Sequence, residues 1–146
     1  MYYLTRMILS LEKINSGLIA CARDKTDYYY LFFILVKTGV RIMEVIQLMP
    51  WHFDFEAKNM TVYHGKRNKK RTIVLGDDTT TELEKWIKDK PKNMLLFPIT
   101  TRTVERLSLR FFGIAPHNFR RMYAVNIYRA SDKDIITVRD LLGHNP

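Results

Sequence analysis

The segment that most constrains the fold is Tyr28–Val36, nine consecutive apolar or aromatic residues. Thr38 and Gly39 follow it, and glycine commonly ends an α-helix. The run is shorter than the roughly 18 residues that suggest a membrane span. A helix that is apolar on every side must be covered by the rest of the chain. The sequence therefore predicts one buried helix, beginning at Asp24 or Thr26, with other elements packed around it.

Capping residues and apolar residues at helical spacing indicate further helices on both sides. These helices are expected after Ser10, at Arg41–Met49, after Gly76, at Thr101–Phe112, from Pro116 to about Arg129, and after Ser131 or Asp132. β-branched and aromatic residues predict a hairpin with strands Asn59–His64 and Arg71–Leu75, and a third, edge strand at Leu95–Pro98. We expect a mainly α-helical (α+β) domain over residues 1–146, with six or seven helices around a small antiparallel sheet of two or three strands.

The charge balance narrows the class of partner. Lys and Arg total 24 against 15 Asp and Glu, a formal net charge of +9. This excess favours an anionic partner, nucleic acid first, although a merely basic surface is the alternative. The single cysteine, Cys21, excludes an internal disulfide and a cysteine-based zinc site. No secretion signal or membrane span is indicated, so a soluble, cytoplasmic (nucleoid-associated) protein is expected.

Two short motifs place arginines at helix starts. In Thr38–Glu44 a glycine break delivers Arg41 to the first turn of a helix, where unpaired backbone N–H groups already favour anions. Glu44, three residues later, could orient Arg41 as an ion pair. In Pro116–Arg121, His117 and Arg120 share a helix face. Each motif is also compatible with an exposed surface.

Two further motifs are uninformative alone. The turn Gly65–Arg71 holds five cations in seven residues, which fits either a solvated hairpin tip or a hairpin that contacts DNA phosphates. His144 follows Gly143 at the predicted end of the last helix. The four histidines (52, 64, 117 and 144) lie in unrelated segments, so no metal site is expected.

Taken in order, the four motifs resemble the signature of the tyrosine recombinases, the phage-type integrases. Thr38–Glu44 is similar to the family's T-G-x-R-x-x-E box and Gly65–Arg71 to its G-K-x-x-K-x-R hairpin. Pro116–Arg120 matches its P-H-x-x-R box and Leu141–His144 its L-L-G-H box. The resemblance extends from about Ser10 to Asn145. It implies the fold of the family's catalytic domain, with double-stranded DNA as partner.

The resemblance also implies roles. Arg41 and Arg120 would bind the non-bridging oxygens of the scissile phosphate, and Lys66 would protonate the leaving 5′ oxygen. His117 would act as acid/base partner of the nucleophile, and His144 would hydrogen-bond the phosphate. Further DNA contacts are expected from the remaining cations of these motifs: Arg67, Lys69, Lys70, Arg71 and Arg121. No metal or other cofactor is implied, because the fixed cations supply the electrostatics.

The sequence departs from the family pattern in three ways. The family's nucleophilic tyrosine would fall near position 153, whereas the sequence ends at Pro146, so DNA binding without completed cleavage is expected. Tyr123 and Tyr128 are interpreted as packing residues and not as replacements for this nucleophile, because the family usually places core residues at these positions of the His117 helix. The family's N-terminal core-binding domain is not expected within this chain, and Arg67 replaces a frequent glycine. A fragment is favoured over a natural remnant or a protein that receives its tyrosine from a partner subunit. A tetramer on DNA is expected of the full-length protein and a monomer of this chain.

Two other functions are alternatives for a basic domain of this kind. A DNA-binding or regulatory protein that kept the fold and lost catalysis would need positive charge, but not the complete set of site residues. An RNA-binding domain would be expected to carry an aromatic stacking platform or a known RNA-binding signature, and the sequence has neither.

Overall fold

The predicted central helix is present in the computed structural model, which describes residues 9–64 and 69–130. The α-helices are α1 (Leu11–Asp24), α2 (Thr26–Thr38), α3 (Ile42–Val45), α4 (Asp77–Ile87), α5 (Thr101–Phe112) and α6 (His117–Ala130), and Pro50–His52 forms a 3₁₀ helix. The strands are β1 (Phe53–Asp54), β2 (Asn59–His64) and β3 (Lys69–Val74). The mainly helical fold class is confirmed. The helix predicted after Ser131 or Asp132 lies outside the described residues.

Helix α2 forms the centre of the core, as its sequence predicts. Every side chain from Tyr30 to Leu35 is buried, and α2 packs against α1 and α6. The ring of Phe32 lies 4.9 Å from that of Phe112 on α5 and 5.8 Å from that of Phe119 on α6, between ring centroids. Burying one such ring contributes about 2 kcal/mol, so this aromatic cluster fixes the three helices relative to one another.

The sheet is antiparallel, with strand order β1-β2-β3. The hairpin strands are found where predicted, β3 beginning two residues earlier than expected. The predicted third strand at Leu95–Pro98 is wrong: that segment is irregular, and β1 pairs with β2 instead. Leu96 and Phe97 are buried in succession rather than alternately, and the Leu96 N–H donates to the Leu48 carbonyl at 2.9 Å. The segment thus fills the core without joining the ladder.

Helix α3 is shorter than the predicted Arg41–Met49 and ends at Val45. The backbone groups that follow have partners elsewhere. The Leu48 carbonyl accepts from Leu96, and the Met49 N–H donates to Nδ1 of His52 at 2.8 Å. These long-range and loop contacts compete with the helical ladder and replace it before Pro50 is reached. No helix in residues 9–64 and 69–130 is long and apolar enough to cross a membrane.

Candidate functional site

Gly39 begins the site, at the point where α2 ends. Its backbone is left-handed, with φ of 65°. A Cβ at this position would overlap the ring of Tyr123, which lies against it from α6. The Gly39 carbonyl accepts a hydrogen bond from Nη1 of Arg120 at 2.6 Å. Glycine is therefore required here both for the turn and for the close approach of α6.

Arg41 caps the short helix α3 from an extended backbone conformation. Its N–H donates to Oε1 of Glu44 at 2.7 Å, and the Glu44 side chain is completely buried. The predicted ion pair between the two side chains is wrong, because the Glu44 carboxylate pairs with Arg71 instead, at 2.6 Å from Nη1 to Oε2. Glu44 thus supports the site through the backbone of Arg41 and through β3.

Arg71 stands on the face of β3 that looks into the domain. It is opposite buried Val62, two residues before buried Ile73, and its side chain is only 17% exposed. Lys69 and Lys70 of the same strand are exposed. The cations predicted to contact DNA therefore do not form a single exposed surface, because Arg71 is largely buried whereas Lys69 and Lys70 are exposed. Arg67 lies outside the described residues. So do the predicted site residues Lys66 and His144.

Arg120 is the most deeply placed cation of the site, 7% exposed. Burial, the largest cause, and the positive charges of Arg41 and Arg71 together lower its pKa to about 10, while Glu44 opposes them. Three guanidinium groups therefore influence one another around one buried carboxylate. An anion placed among them would relieve the repulsion and complete the charge balance.

His117 begins α6, three residues before Arg120, with buried Pro116 preceding it. Loss of surrounding water lowers the pKa of His117 below its ordinary value, and the charges of Arg121 and Arg120 lower it further. The imidazole is consequently neutral at physiological pH and able to accept a proton.

Arg41, His117 and Arg120 line one cavity of about 760 Å³. Its charged lining consists of Arg41, His117, Arg120, Arg121 and Glu105, so cations outnumber carboxylates. The remaining wall is apolar and comes from the α2–α3 turn, α3, α5, the loop before α6, and α6 itself: Val40, Ile42, Met43, Leu109, Ala115, Pro116 and Ala124. Three of the five predicted catalytic residues therefore share one wall, which can hold a phosphate-sized anion beside an apolar surface.

Metal chemistry has no evident ligand set in the described part of the chain. Within residues 9–64 and 69–130, no three His, Cys, Asp or Glu side chains are grouped to hold an ion. His52 is buried, accepts the Met49 N–H, and lies 3.9 Å from the ring of Trp51, between ring centroids. Burial lowers the pKa of His52. It is a packed, neutral side chain.

The sequence predicted Tyr123 as a packing residue but not its contact with Gly39, and it did not predict the inward position of Arg71. The alternation Arg71, Ile73, Leu75 was a usable signal, because residues two apart in a strand share a face. That rule assigns Arg71 to the same side as two buried apolar residues. No comparable signal exists for Tyr123, whose contact with Gly39 joins residues far apart in the sequence.

The sequence and fold were compared with known proteins. Residues 8–146 match the model of the phage integrase family. The chain is 28% identical over 138 residues to the tyrosine recombinase XerA of Saccharolobus solfataricus, covering 90% of this chain and 46% of that protein. The chain thus spans about half the length of the curated relatives it matches.

Solved structures of similar fold include a XerA recombinase, with TM-score 0.75, 24% identity, and coverage of 94% of this chain and 56% of that one. A XerH recombinase bound to its difH substrate gives TM-score 0.69 and 25% identity, covering 94% and 47%. The catalytic domain of bacteriophage HP1 integrase gives TM-score 0.71 and 22% identity, covering 95% and 81%. The chain therefore belongs to the phage integrase family and has the fold of a tyrosine recombinase catalytic domain.

Proposed function

We propose that this chain is the phosphate-activating part of an enzyme that cuts and rejoins double-stranded DNA in site-specific recombination. The carrying observation is the single cavity wall shared by Arg41, His117 and Arg120. Two guanidinium groups can each offer a planar pair of donors to the non-bridging oxygens of a phosphodiester. Membership of the phage integrase family supports the same activity.

The two arginines would act by fixed electrostatics. The Gly39 carbonyl holds Nη1 of Arg120, so this guanidinium is oriented before a substrate arrives. Arg41 approaches from the start of α3, and its backbone is held by Glu44. Donors that are positioned in advance stabilise the charge that grows on phosphate oxygens in the transition state without reorganisation.

In the proposed reaction, the phenol oxygen of a tyrosine attacks the phosphorus atom as the bond to the 5′ oxygen breaks. A 3′-phosphotyrosyl link forms, and Lys66 protonates the departing 5′ oxygen. His117 would take the phenol proton, for which its lowered pKa leaves it neutral. His144 would hydrogen-bond the phosphate. The roles of Lys66 and His144 rest on the sequence motifs alone.

The attacking tyrosine is proposed to come from a segment other than residues 1–146, in the same protein or in a partner subunit. Among the described residues, Tyr123 contacts the site, but its ring packs against Gly39 and burial raises its pKa. Tyr30 donates to Glu82 at 2.9 Å, and burial raises its pKa to about 12. Both environments disfavour a phenolate, so both tyrosines fit packing roles.

The proposed partner is double-stranded DNA, bound chiefly through its phosphates. Exposed Lys69 and Lys70 at the start of β3 add positive charge to the excess lining the cavity. Binding should weaken steeply with salt, because cations that neutralise phosphates release condensed counterions. We propose a tetramer on DNA for the full-length protein and a monomer in solution for this chain.

The test isolates phosphate activation from the protein nucleophile. A nicked duplex carries a p-nitrophenyl phosphodiester at the 3′ end of the nick and a hydroxyl at the 5′ end, within randomised flanking sequence. The 5′ oxygen attacks phosphorus, its proton passes to a base, and p-nitrophenolate leaves. This reaction needs the arginines but no tyrosine. Release of the coloured phenolate and sequencing of the sealed strands report it.

We expect the wild-type chain to seal such nicks at low salt. Arg41→Lys and Arg120→Lys keep the charge but lose the planar fork, and each should slow sealing on the order of a hundredfold or more. Lys85→Gln, which removes an exposed cation from α4, is the matched control and should seal normally. A wild-type chain that binds duplex DNA without sealing would refute the catalytic proposal and indicate a regulatory DNA-binding protein.

A further inference from the structure

A buried carboxylate joins two elements of the site that come from distant parts of the sequence. Oε1 of Glu44 accepts the Arg41 N–H at 2.7 Å, within α3. Its two oxygens also accept from Nη1 and Nη2 of Arg71 on β3, at 2.6 and 3.3 Å. Because the Glu44 side chain is fully buried, no water competes for these contacts. One carboxylate therefore sets the distance between α3 and β3.

The two elements carry different parts of the proposed chemistry. Helix α3 begins one residue after Arg41, and β3 begins three residues after Lys66 in the sequence. β2 and β3 are paired from Asn59 opposite Val74 to His64 opposite Lys69, so a displacement of Arg71 would be transmitted along the ladder. The Glu44–Arg71 contact thus links Arg41, which is proposed to bind the phosphate, to β3, which follows the proposed general acid Lys66 in the sequence.

Charge gives the contact a second effect. The positive charges of Arg71 and Arg41 depress the pKa of Arg120, and Glu44 is the opposing charge. Without the carboxylate, three guanidinium groups would repel one another in a partly buried space. The bidentate contact with Glu44 can hold Arg71 back from the anion site.

We infer that Glu44 and Arg71 form a positioning pair, which fixes Arg41 and β3 relative to each other, and that Arg71 acts through Glu44 and not by contacting DNA. This inference rests on the proposed function. It departs from the expectation that Arg71 belongs with the DNA-contacting cations of the hairpin. A direct phosphate contact would require Arg71, at 17% side-chain exposure, to leave a bidentate ion pair with a buried partner.

The experiment compares sealing rate with the salt dependence of DNA binding. Arg71→Gln and Glu44→Gln should each slow sealing at saturating DNA on the order of a hundredfold, because a small misplacement of reacting groups has effects of that size. The double variant Glu44→Gln/Arg71→Gln should be little slower than either single variant, since both remove the same contact. The salt slope of binding should not change in Arg71→Gln.

Lys70→Gln is the matched comparison on the same strand, because Lys70 is exposed. Its salt slope should become shallower by about one, as loss of a phosphate contact requires. Arg71→Lys keeps the charge without the fork and should restore only part of the sealing rate. Thermal unfolding of each variant sets the assay temperature below its midpoint, so that the comparison is made between folded proteins.

The outcomes separate the two proposals. If the wild-type chain seals, but Arg71→Gln flattens the salt slope by about one and its effect adds to that of Glu44→Gln, Arg71 contacts DNA and the positioning inference is overturned. If Arg71→Lys seals at the wild-type rate, charge alone is sufficient and the inference also fails. If the wild-type chain does not seal, the proposed function fails first, independently of either variant.

Discussion

The polar groups at the two ends of α2 have different surroundings. Near its N-terminal end, the Tyr30 hydroxyl donates to Glu82, and its ring stacks on Trp86 at 4.3 Å between centroids with an interplanar angle of 9°. The Lys90 ammonium lies 4.7 Å from the Trp86 ring centroid. The Tyr30 hydroxyl and the Lys90 ammonium thus both have partners nearby. At the C-terminal end, Gly39 leads into an arginine cluster that shares one buried carboxylate, Glu44.

The contacts at the N-terminal end of α2 stabilise the fold, whereas the C-terminal end carries residues of the proposed anion site. Matched polar groups stabilise the fold and leave little charge for a ligand. Like charges brought close together cost folding free energy, and a bound anion would recover part of that cost. The same helix therefore anchors the core at one end and leads into the arginine cluster at the other.

The largest effect expected is at Gly39. Gly39→Ala should destabilise the fold by about 2–4 kcal/mol, because alanine is strained in the left-handed conformation and its Cβ overlaps the Tyr123 ring. Gly113→Ala is the control, since its φ is 72° but no atom lies within 4 Å of an added Cβ. It should cost only about 1 kcal/mol. Urea unfolding measures both; equal losses would show that the contact with Tyr123 contributes nothing.

A smaller effect is expected near the N-terminal end of α2. Tyr30→Phe removes the hydrogen bond to Glu82 while keeping the ring on Trp86, and should destabilise the fold by about 1 kcal/mol. Tyr29→Phe is the neighbouring control, because its hydroxyl has no hydrogen-bond partner within the described residues, and should be nearly neutral. DNA binding should be unaffected in both. A weaker affinity in Tyr30→Phe would mean that the two ends of the helix are coupled.

The local elements could be predicted from the sequence, because their signals are local. Ser10 caps α1 through the Lys13 N–H as expected, and Gly39 and Gly113 end α2 and α5 in the left-handed conformation. The alternating strands of the hairpin and most helix boundaries were likewise predicted. The four motifs also identified Arg41, His117 and Arg120, which the structure brings to one cavity wall.

The rest depends on contacts between distant residues. The early end of α3 involves the hydrogen bond from Leu96 to Leu48, and the Glu44–Arg71 pair joins residues 27 apart. The Gly39–Arg120 hydrogen bond joins residues 81 apart. No spacing rule within a single element reports such pairs. The third strand was mispredicted for the same reason, because β1 has only two residues, Phe53 and Asp54, and carries no strand pattern of its own. Only their tertiary partners distinguish β1 from Leu95–Pro98.

The smallest effect expected is on the pKa of His117, which lines the cavity at the C-terminal end of α2. Arg121→Gln should raise the pKa of His117 only partly toward its ordinary value, because desolvation is the larger cause of the depression and the Arg121 charge the second. Bound duplex DNA should raise it as well, since a phosphate favours the imidazolium. Titration of the imidazole ring protons by NMR measures both changes.

Arg129→Gln is the matched control on α6. It is twelve residues from His117, about 18 Å along the helix and beyond the screening length at physiological salt. Its removal should leave the His117 titration unchanged. Because the folded-state pKa is lowered, the stabilisation from neutral His117 is complete above its ordinary pKa and is lost as pH falls through the folded-state value. Arg121→Gln should therefore weaken this acid dependence, and a titration identical to wild type would show that the cationic cluster does not reach His117.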